Sequence, residues 1–325
     1  MKLLGTMQLF LLAGVGFALL AGLVVSALVP AVLRWTAAWT PAARHRALLL
    51  TSVAPMVLAL ASVLAVALPS LLALAWPAPD HCLVEHDHPH LCLVHLSASA
   101  GGWSAGLLLA VLGWLAMRLT SLARALARGA ALVRQLSPSS RRVADREAWV
   151  VPGREPVCLS VGVLRPKTVV SQGLLAEASP ADLTVMMEHE HAHQRRHDTL
   201  LRVIARFTST TMLPDSRRSL LAALELSSER ACDEESALRV GDRLQVAETL
   251  VAMERRLSAP RENVFVVAFG PSGVPERVEA LLAPPRQSGA YAMMLAGFVV
   301  VIFVVLASFE PLHHATETAL GLLIH

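Results

Sequence analysis

Hydrophobic positions in this chain gather into long blocks rather than alternating with polar ones. Four stretches carry no Asp, Glu, Lys or Arg: Leu3–Leu33, Ala47–Pro79, Leu96–Met117 and Ser288–Phe309. Each reaches the roughly 20 residues a helix needs to cross a hydrocarbon core about 30 Å thick. They predict four transmembrane helices, over about 8–30, 48–76 and 97–117 within a membrane region 1–117, and over 288–309. Pro30 cannot donate in a helix interior, so it is expected to end or bend the first. That first block is too long for the apolar core of a signal peptide.

The interval 118–287 is the one stretch with enough polar residues and length to bury a soluble core. Arg118–Leu136 predicts a helix continuing out of the third span, with Leu122, Leu126, Gly129 and Val133 on one side, broken at Ser137-Pro138-Ser139-Ser140. Short strands are expected over Ala148–Val151, Val157–Leu164 and Thr168–Ser171. Ser179-Pro180-Ala181-Asp182 then reads as a helix start, with Ser179 as N-cap, Pro180 in the first turn and Asp182 completing a capping box. That helix is expected to run to about Arg196, or on to about Phe207. Asp215 is expected to cap a helix from about Arg217 to Val240 that Gly241 stops, and Asp242 another reaching about Leu257. Gly270–Pro275 reads as loop, and Glu276–Leu282 leads into the fourth span. The expected fold class is a polytopic α-helical membrane protein of four transmembrane helices, with an α+β domain over 118–287 and a short tail over 310–325.

Composition agrees with that partition. Hydrophobic residues make up 54% and charged residues 16%, against about 45–50% and about 25% in ordinary soluble domains. A disordered chain is excluded, and a purely soluble enzyme is disfavoured. Orientation follows from the basic residues. Arg34, Arg44 and Arg46 follow the first span, and Arg118, Arg124, Arg128 and Arg134 follow the third. The 80–95 loop holds Asp80, Glu85 and Asp87 and no Lys or Arg. The positive-inside rule therefore places 34–46 and 118–287 in the cytoplasm, and the N-terminus, the 80–95 loop and the tail outside. The expected location is a bacterial-type inner membrane. The interval 118–287 holds 24 of the 28 basic and 20 of the 25 acidic residues, so the net charge of +3 is no signal for nucleic acid.

Candidate chemistry lies on the helix begun at Ser179. His189-Glu190-His191-Ala192-His193 fits the pattern His-Glu-x-x-His. Residues i and i+4 share a helix face, so His189 and His193 point at one spot. Two neutral imidazoles at that spacing suit Zn²⁺. Glu190 stands where a carboxylate can take a proton from water activated by such an ion. The chain holds 13 His, four of them on this helix, so the match alone leaves a His-rich surface helix open. A catalytic zinc needs a third protein ligand. Thr199 stands where a metzincin would have its third His, and Met187 and Val185 exclude the inverted motif. A carboxylate from a later helix remains. Glu225, Glu229 and Asp233 fall at i, i+4 and i+8, either as a solvated acidic face or as a stack that a cation relieves. Asp198, five residues past His193, can accept from an imidazole and orient it.

Together, His189–Asp198 and Glu229-Arg-Ala-Cys-Asp233 resemble the BlaR/MecR-type antirepressor membrane metallopeptidases. The pairing of His-Glu-x-x-His with a later Glu-x-x-x-Asp is also similar to the HtpX-like and CAAX-processing membrane proteases. Val161-Gly162-Val163-Leu164-Arg165-Pro166 resembles the Gly-Leu-Leu-Arg-Pro segment of the first family, as does the layout of three spans, a cytoplasmic domain and a fourth span. The resemblance covers about residues 1–310. It implies a gluzincin-like domain with one catalytic Zn²⁺ held by His189, His193 and Glu229, Glu225 being the competitor for third ligand. It further implies Glu190 as general base, and Asp233 and Asp198 as partners orienting the ligands. Strand 157–164 would be an edge to which an extended peptide adds, or else plain core packing. His197 and Arg230 are candidates to stabilise the oxyanion, because the sole tyrosine, Tyr291, falls in the fourth span.

The implied activity is regulatory: a zinc metalloendopeptidase that cleaves a cytoplasmic repressor or itself. Its partners would be a peptide or protein substrate and the lipid bilayer, with no direct nucleic-acid binding. A quality-control or processing protease of the HtpX-like kind and a non-catalytic metal-binding membrane sensor are the alternatives. The beta-lactam receptors carry a penicillin-binding domain after the fourth span, where only Glu310–His325 stands here. The expectation is that any signal enters through loops, spans or a partner. The segment His81–His95 gathers five His and two Cys on the expected outer side. Cys82 and Cys92 are expected to form a disulfide there; whether the imidazoles also form a zinc- or copper-sensing site is left open by the sequence. Cys158 and Cys232 are expected to be free thiols, Cys232 as a core residue.

Overall fold

The structure, a computed structural model, describes residues 2–75, 91, 102–139, 141–143, 148–154, 156–164, 166–257, 273–284 and 289–324. The molecule is mostly helical. Helices α1 (Lys2–Trp35) and α2 (Pro41–Ala75) form an antiparallel pair. Both are long and apolar enough to cross a membrane. Helix α3 (Gly102–Ser139) follows, running through Pro138, where a break was expected. A four-stranded sheet comes next: β1 (Arg141–Val143), β2 (Ala148–Val151), β3 (Cys158–Val161) and β4 (Lys167–Ser171). Then come α4 (Gln172–Glu177), α5 (Pro180–Arg195), α6 (Asp198–Thr208), a 3-10 turn (Ser209–Thr211), α7 (Pro214–Val240), α8 (Arg243–Leu257) and α9 (Val274–Leu282). Helices α10 (Tyr291–Ala307) and α11 (Phe309–Ile324) end the chain.

The expected four spans are matched in part. Among the described residues two helices cross by length and hydropathy, and a third does if α10 and α11 count as one span bent by 67°. The chain after the bend is no loose tail. α11 packs back on α2 and α1, burying Leu320 beside Leu9, Val66 and Leu91. The polar residues His313 and Glu317 are buried with it, His313 Nδ1 lying 2.7 Å from the Val66 carbonyl.

At about 1.5 Å per residue, the 34 and 35 residues of α1 and α2 extend well past a hydrocarbon core of about 30 Å. The surplus packs on the polar domain. Val25, Val29, Leu48 and Ala54 share one core with Ala205, Met212, Leu220 and Leu224 of the α6–α7 region. Polar bonds stitch the same seam. The Leu213 amide donates to Ser26 Oγ at 2.9 Å, and Thr208 Oγ1 donates to the Ser52 carbonyl at 2.9 Å. Pro30 does not end α1, which continues to Trp35. Proline leaves the carbonyl four residues back without its helical donor. That carbonyl belongs to Ser26, and Ser216 Oγ donates to it at 3.1 Å. Gly22 lies so close to the 3-10 turn that a Cβ would collide with the Thr211 carbonyl.

The sheet order is β1-β2-β4-β3, with β2 and β4 parallel and the other pairs antiparallel. β3 is therefore an edge strand. It is shorter than the sequence suggests, since Gly162 takes φ +108 straight after Val161. α5 lies against β3 and β4, and Leu183, Met186 and Met187 pack on Ala148, Cys158 and Val170. Ser179 caps α5, its Oγ accepting from the Asp182 amide at 3.0 Å. Asp215 is not the cap of α7. The helix begins at Pro214 after Leu213, and Asp215 lies in its first turn. Gly241 (φ +81) ends α7, and Asp242 Oδ1 accepts from the Leu244 and Gln245 amides to start α8.

Candidate metal centre

The apolar side of α5 puts Leu183, Met186 and Met187 into the core. One turn further on, the same helix delivers His189, Glu190 and His193 to a polar centre. His189 and His193 turn their Nε2 atoms towards each other at 3.2 Å. Glu229, from the middle of α7, faces both: Oε2 is 3.4 Å from His189 Nε2, and Oε1 is 3.5 Å from His193 Nε2. These three side chains form a group able to hold a metal ion. His189 and Glu190 are buried. His193 and Glu229 keep 13% and 21% of their side chains exposed, so the centre has one open side.

Each imidazole is held from behind. His189 Nδ1 lies 3.0 Å from Asp233 Oδ1, and His193 Nδ1 lies 2.8 Å from Asp198 Oδ2. A carboxylate can only accept, so each Nδ1 carries a proton, and Nε2 is the nitrogen whose lone pair the neutral ring can offer to a metal ion at the centre. On one continuous helix Asp198 would stand about 140° round from His193. The chain instead breaks at His197, which takes a left-handed φ of 54, and α6 restarts at Asp198. That break returns Asp198 to the His193 ring. Asp198 also meets Cys232 Sγ at 3.3 Å and Arg196 Nε at 3.4 Å. Behind it, a small cavity is lined by Ser228, Arg202 and His45 of α2, whose Nε2 is 3.9 Å from Asp198 Oδ1.

Burial alone would destabilise the charge on these groups, and their partners outweigh it. Burial raises the carboxyls of Glu229 and Asp233, yet the histidines and the Arg277 guanidinium hold both below the usual carboxylate range. Burial lowers His189 and His193, yet the carboxylates around them leave both raised. The centre thus stabilises positive charge. Glu190 goes the other way: burial dominates and lifts its carboxyl above the ordinary range. Burial also pushes the Cys232 thiol up to about 12, so it stays protonated.

The other sequence candidates fall elsewhere. Glu225 is half-exposed and pairs with Arg202 at 3.5 Å. His191 lies 4.0 Å from Glu188 on the outer side of α5. His197 is exposed in its turn. Arg230 sits one residue past Glu229, about 100° round the helix. Tyr291 packs on Trp39 and Ala43 with Arg46 over its ring, at the start of α10. Cys158 and Cys232 are free and buried. Cys82, Cys92 and the histidines of the 81–95 segment lie outside the described residues.

Arg277 is the residue that motif reading misses. It is only 2% exposed, and it contacts Asp233 at 2.6 and 2.7 Å and Glu229 at 3.3 Å. Its signal in the sequence is a cation within the apolar stripe Val274, Arg277, Val278 and Leu281, where an unpaired charge would not be buried. Ser160 and Gln194 are likewise unmarked by motif. Ser160 Oγ donates to the Glu190 carbonyl at 3.2 Å and accepts from Gln194 Nε2 at 3.2 Å, fastening α5 to the edge strand.

Neither family models, nor curated proteins, nor solved structures match this chain.

Proposed function

We propose that this chain is a membrane-anchored zinc metallopeptidase whose role is regulatory, cleaving a cytoplasmic repressor or itself. The gathering of His189, His193 and Glu229 donors about one point carries this reading. Tetrahedral Zn²⁺ with N and O ligands at about 2.0–2.2 Å sets neighbouring donors about 3.3 Å apart. Here the two Nε2 atoms stand 3.2 Å apart, and the Glu229 carboxylate straddles them, with Oε2 3.4 Å from His189 Nε2 and Oε1 3.5 Å from His193 Nε2. His189, His193 and Glu229 would hold the ion. When bound, it would polarise the scissile carbonyl and lower the pKa of water.

The chain's own residues would do the rest. Glu190 follows His189 directly, and its raised carboxyl is a stronger base than an exposed glutamate. It would take the proton of the attacking water and hand it to the leaving amine. Strand β3, the sheet edge fastened to α5 through Ser160, would pair with an extended substrate by main-chain bonds. Arg46 lies over the Tyr291 ring beside Trp39, Trp35 meets Trp39 edge-on, and Arg34 stands in the last turn of α1, as expected of a cytoplasmic interface. That supports a cytoplasmic domain, with α3 and the bent α10–α11 pair as further spans.

Wild type and Glu190→Gln, reconstituted in membranes, test the reading. Both are expected to retain one zinc per chain by metal analysis. Only wild type is expected to cleave an unfolded protein substrate or itself. Cleavage that persists in Glu190→Gln refutes the enzymatic role.

A further inference from the structure

We propose that Arg277 is the positioning residue of the metal centre and that α9, by delivering it, latches the ligands in place. The inference rests on the metal-centre reading above. All three guanidinium nitrogens are used: Nε donates to Asp233 Oδ2 at 2.7 Å, Nη2 to Asp233 Oδ1 at 2.6 Å, and Nη1 faces Glu229 Oε2 at 3.3 Å. One side chain therefore holds both the ligand carboxylate and the carboxylate that orients the His189 ring. Asp233 Oδ1 is shared between Arg277 and His189 Nδ1. Without Arg277, Asp233 keeps a buried charge with only the His189 ring opposite it, and Glu229 loses the guanidinium contact to its Oε2. Lysine has one nitrogen and cannot span three oxygens in a plane.

The latch is seated by packing. Val274 and Leu281 bury against Val185, Ala237, Val246 and Leu250. Arg243 of α8 donates to the Leu281 carbonyl at 2.8 Å and to Ala280 at 3.3 Å, closing the end of α9. α10 begins at Tyr291, soon after α9 ends at Leu282.

The test has a sign. A guanidinium beside a ligand oxygen repels a dication, so if Arg277 acted by charge alone, Arg277→Met would bind metal more tightly. Positioning predicts the reverse. Full-length protein in detergent is titrated with Zn²⁺ against a chromophoric chelator, Co²⁺ spectra report ligand geometry, and thermal unfolding reports folding. Arg277→Met is expected to weaken Zn²⁺ binding 10- to 100-fold and to weaken the intense tetrahedral Co²⁺ bands. Arg277→Lys is expected to recover only part. Leu281→Ala, which touches no carboxylate, is expected to speed hydrogen exchange in α9 and weaken Zn²⁺ binding with it. Zinc affinity unchanged or tighter in folded Arg277→Met overturns the proposal. Should that variant not fold, faster exchange in Leu281→Ala with unchanged affinity overturns it. Wild type that binds neither Zn²⁺ nor Co²⁺ sinks the metal-centre reading itself.

Discussion

Asp198 offers the sharpest measure of how the centre is built. Its Oδ2 accepts from His193 Nδ1 at 2.8 Å, a charge-assisted bond that fixes both tautomer and ring plane. Bonds to a charged group contribute about 1.5–3 kcal/mol. At about 1.4 kcal/mol per tenfold, Asp198→Ala should weaken zinc binding about 10- to 150-fold. Outer partners of metal-bound histidines generally contribute about 10- to 100-fold, in agreement. Asp198→Asn can still present a carbonyl to His193, a neutral bond contributing about 0.5–1.5 kcal/mol. It should therefore lose roughly tenfold and sit between wild type and Asp198→Ala. Chelator competition at fixed pH reads the affinities, and melting curves show that each variant folds. Zinc affinity of folded Asp198→Ala within twofold of wild type would refute the view that the His197 turn exists to bring Asp198 to the ligand.

Glu229→Gln should lose zinc far more strongly than Glu225→Gln, which only breaks an exposed pair with Arg202; equal losses in metal analysis would contradict the ligand assignment. Metal-free protein should lose the carboxylate contribution to stability as pH falls below about 4. Burial raises the Glu229 and Asp233 carboxyls, but Arg277 and the histidines hold both below their ordinary values. Their stabilisation is full above the unfolded range of about 3.9–4.3 and is lost as pH falls through the lower folded values. Melting temperatures of wild type and Arg277→Met in chelator should therefore converge below about pH 4, and a gap that widens towards acid would contradict the pairing.

Local signals carried well in this chain. Ser179, Pro180 and Asp182 mark the start of α5 because a cap acts over three residues. Gly241 marks the end of α7 because the left-handed turn there suits glycine. Pro30 misled because its missing bond is replaced across space, by Ser216, 186 residues later in the chain. The break at His197 carried no signal either, since histidine, unlike glycine, does not mark a left-handed position in a sequence.

The sequence by itself determined the apolar blocks that become α1 and α2, and the helix that sets His193 one turn past His189, with Glu190 beside His189. Both follow from helical period and length, which act within a few residues. It left two carboxylates in competition. Only the tertiary structure decided between them, because the approach of α7 to α5 sets which turn of α7 faces the imidazoles, and Glu229 lies there while Glu225 is a turn beyond. Tertiary packing also buried Arg277 beside Asp233, set His45 of α2 beside Asp198, and folded α11 back on the membrane pair. Each joins residues far apart in the chain, and periodicity carries no information about which distant helix turn a side chain will meet.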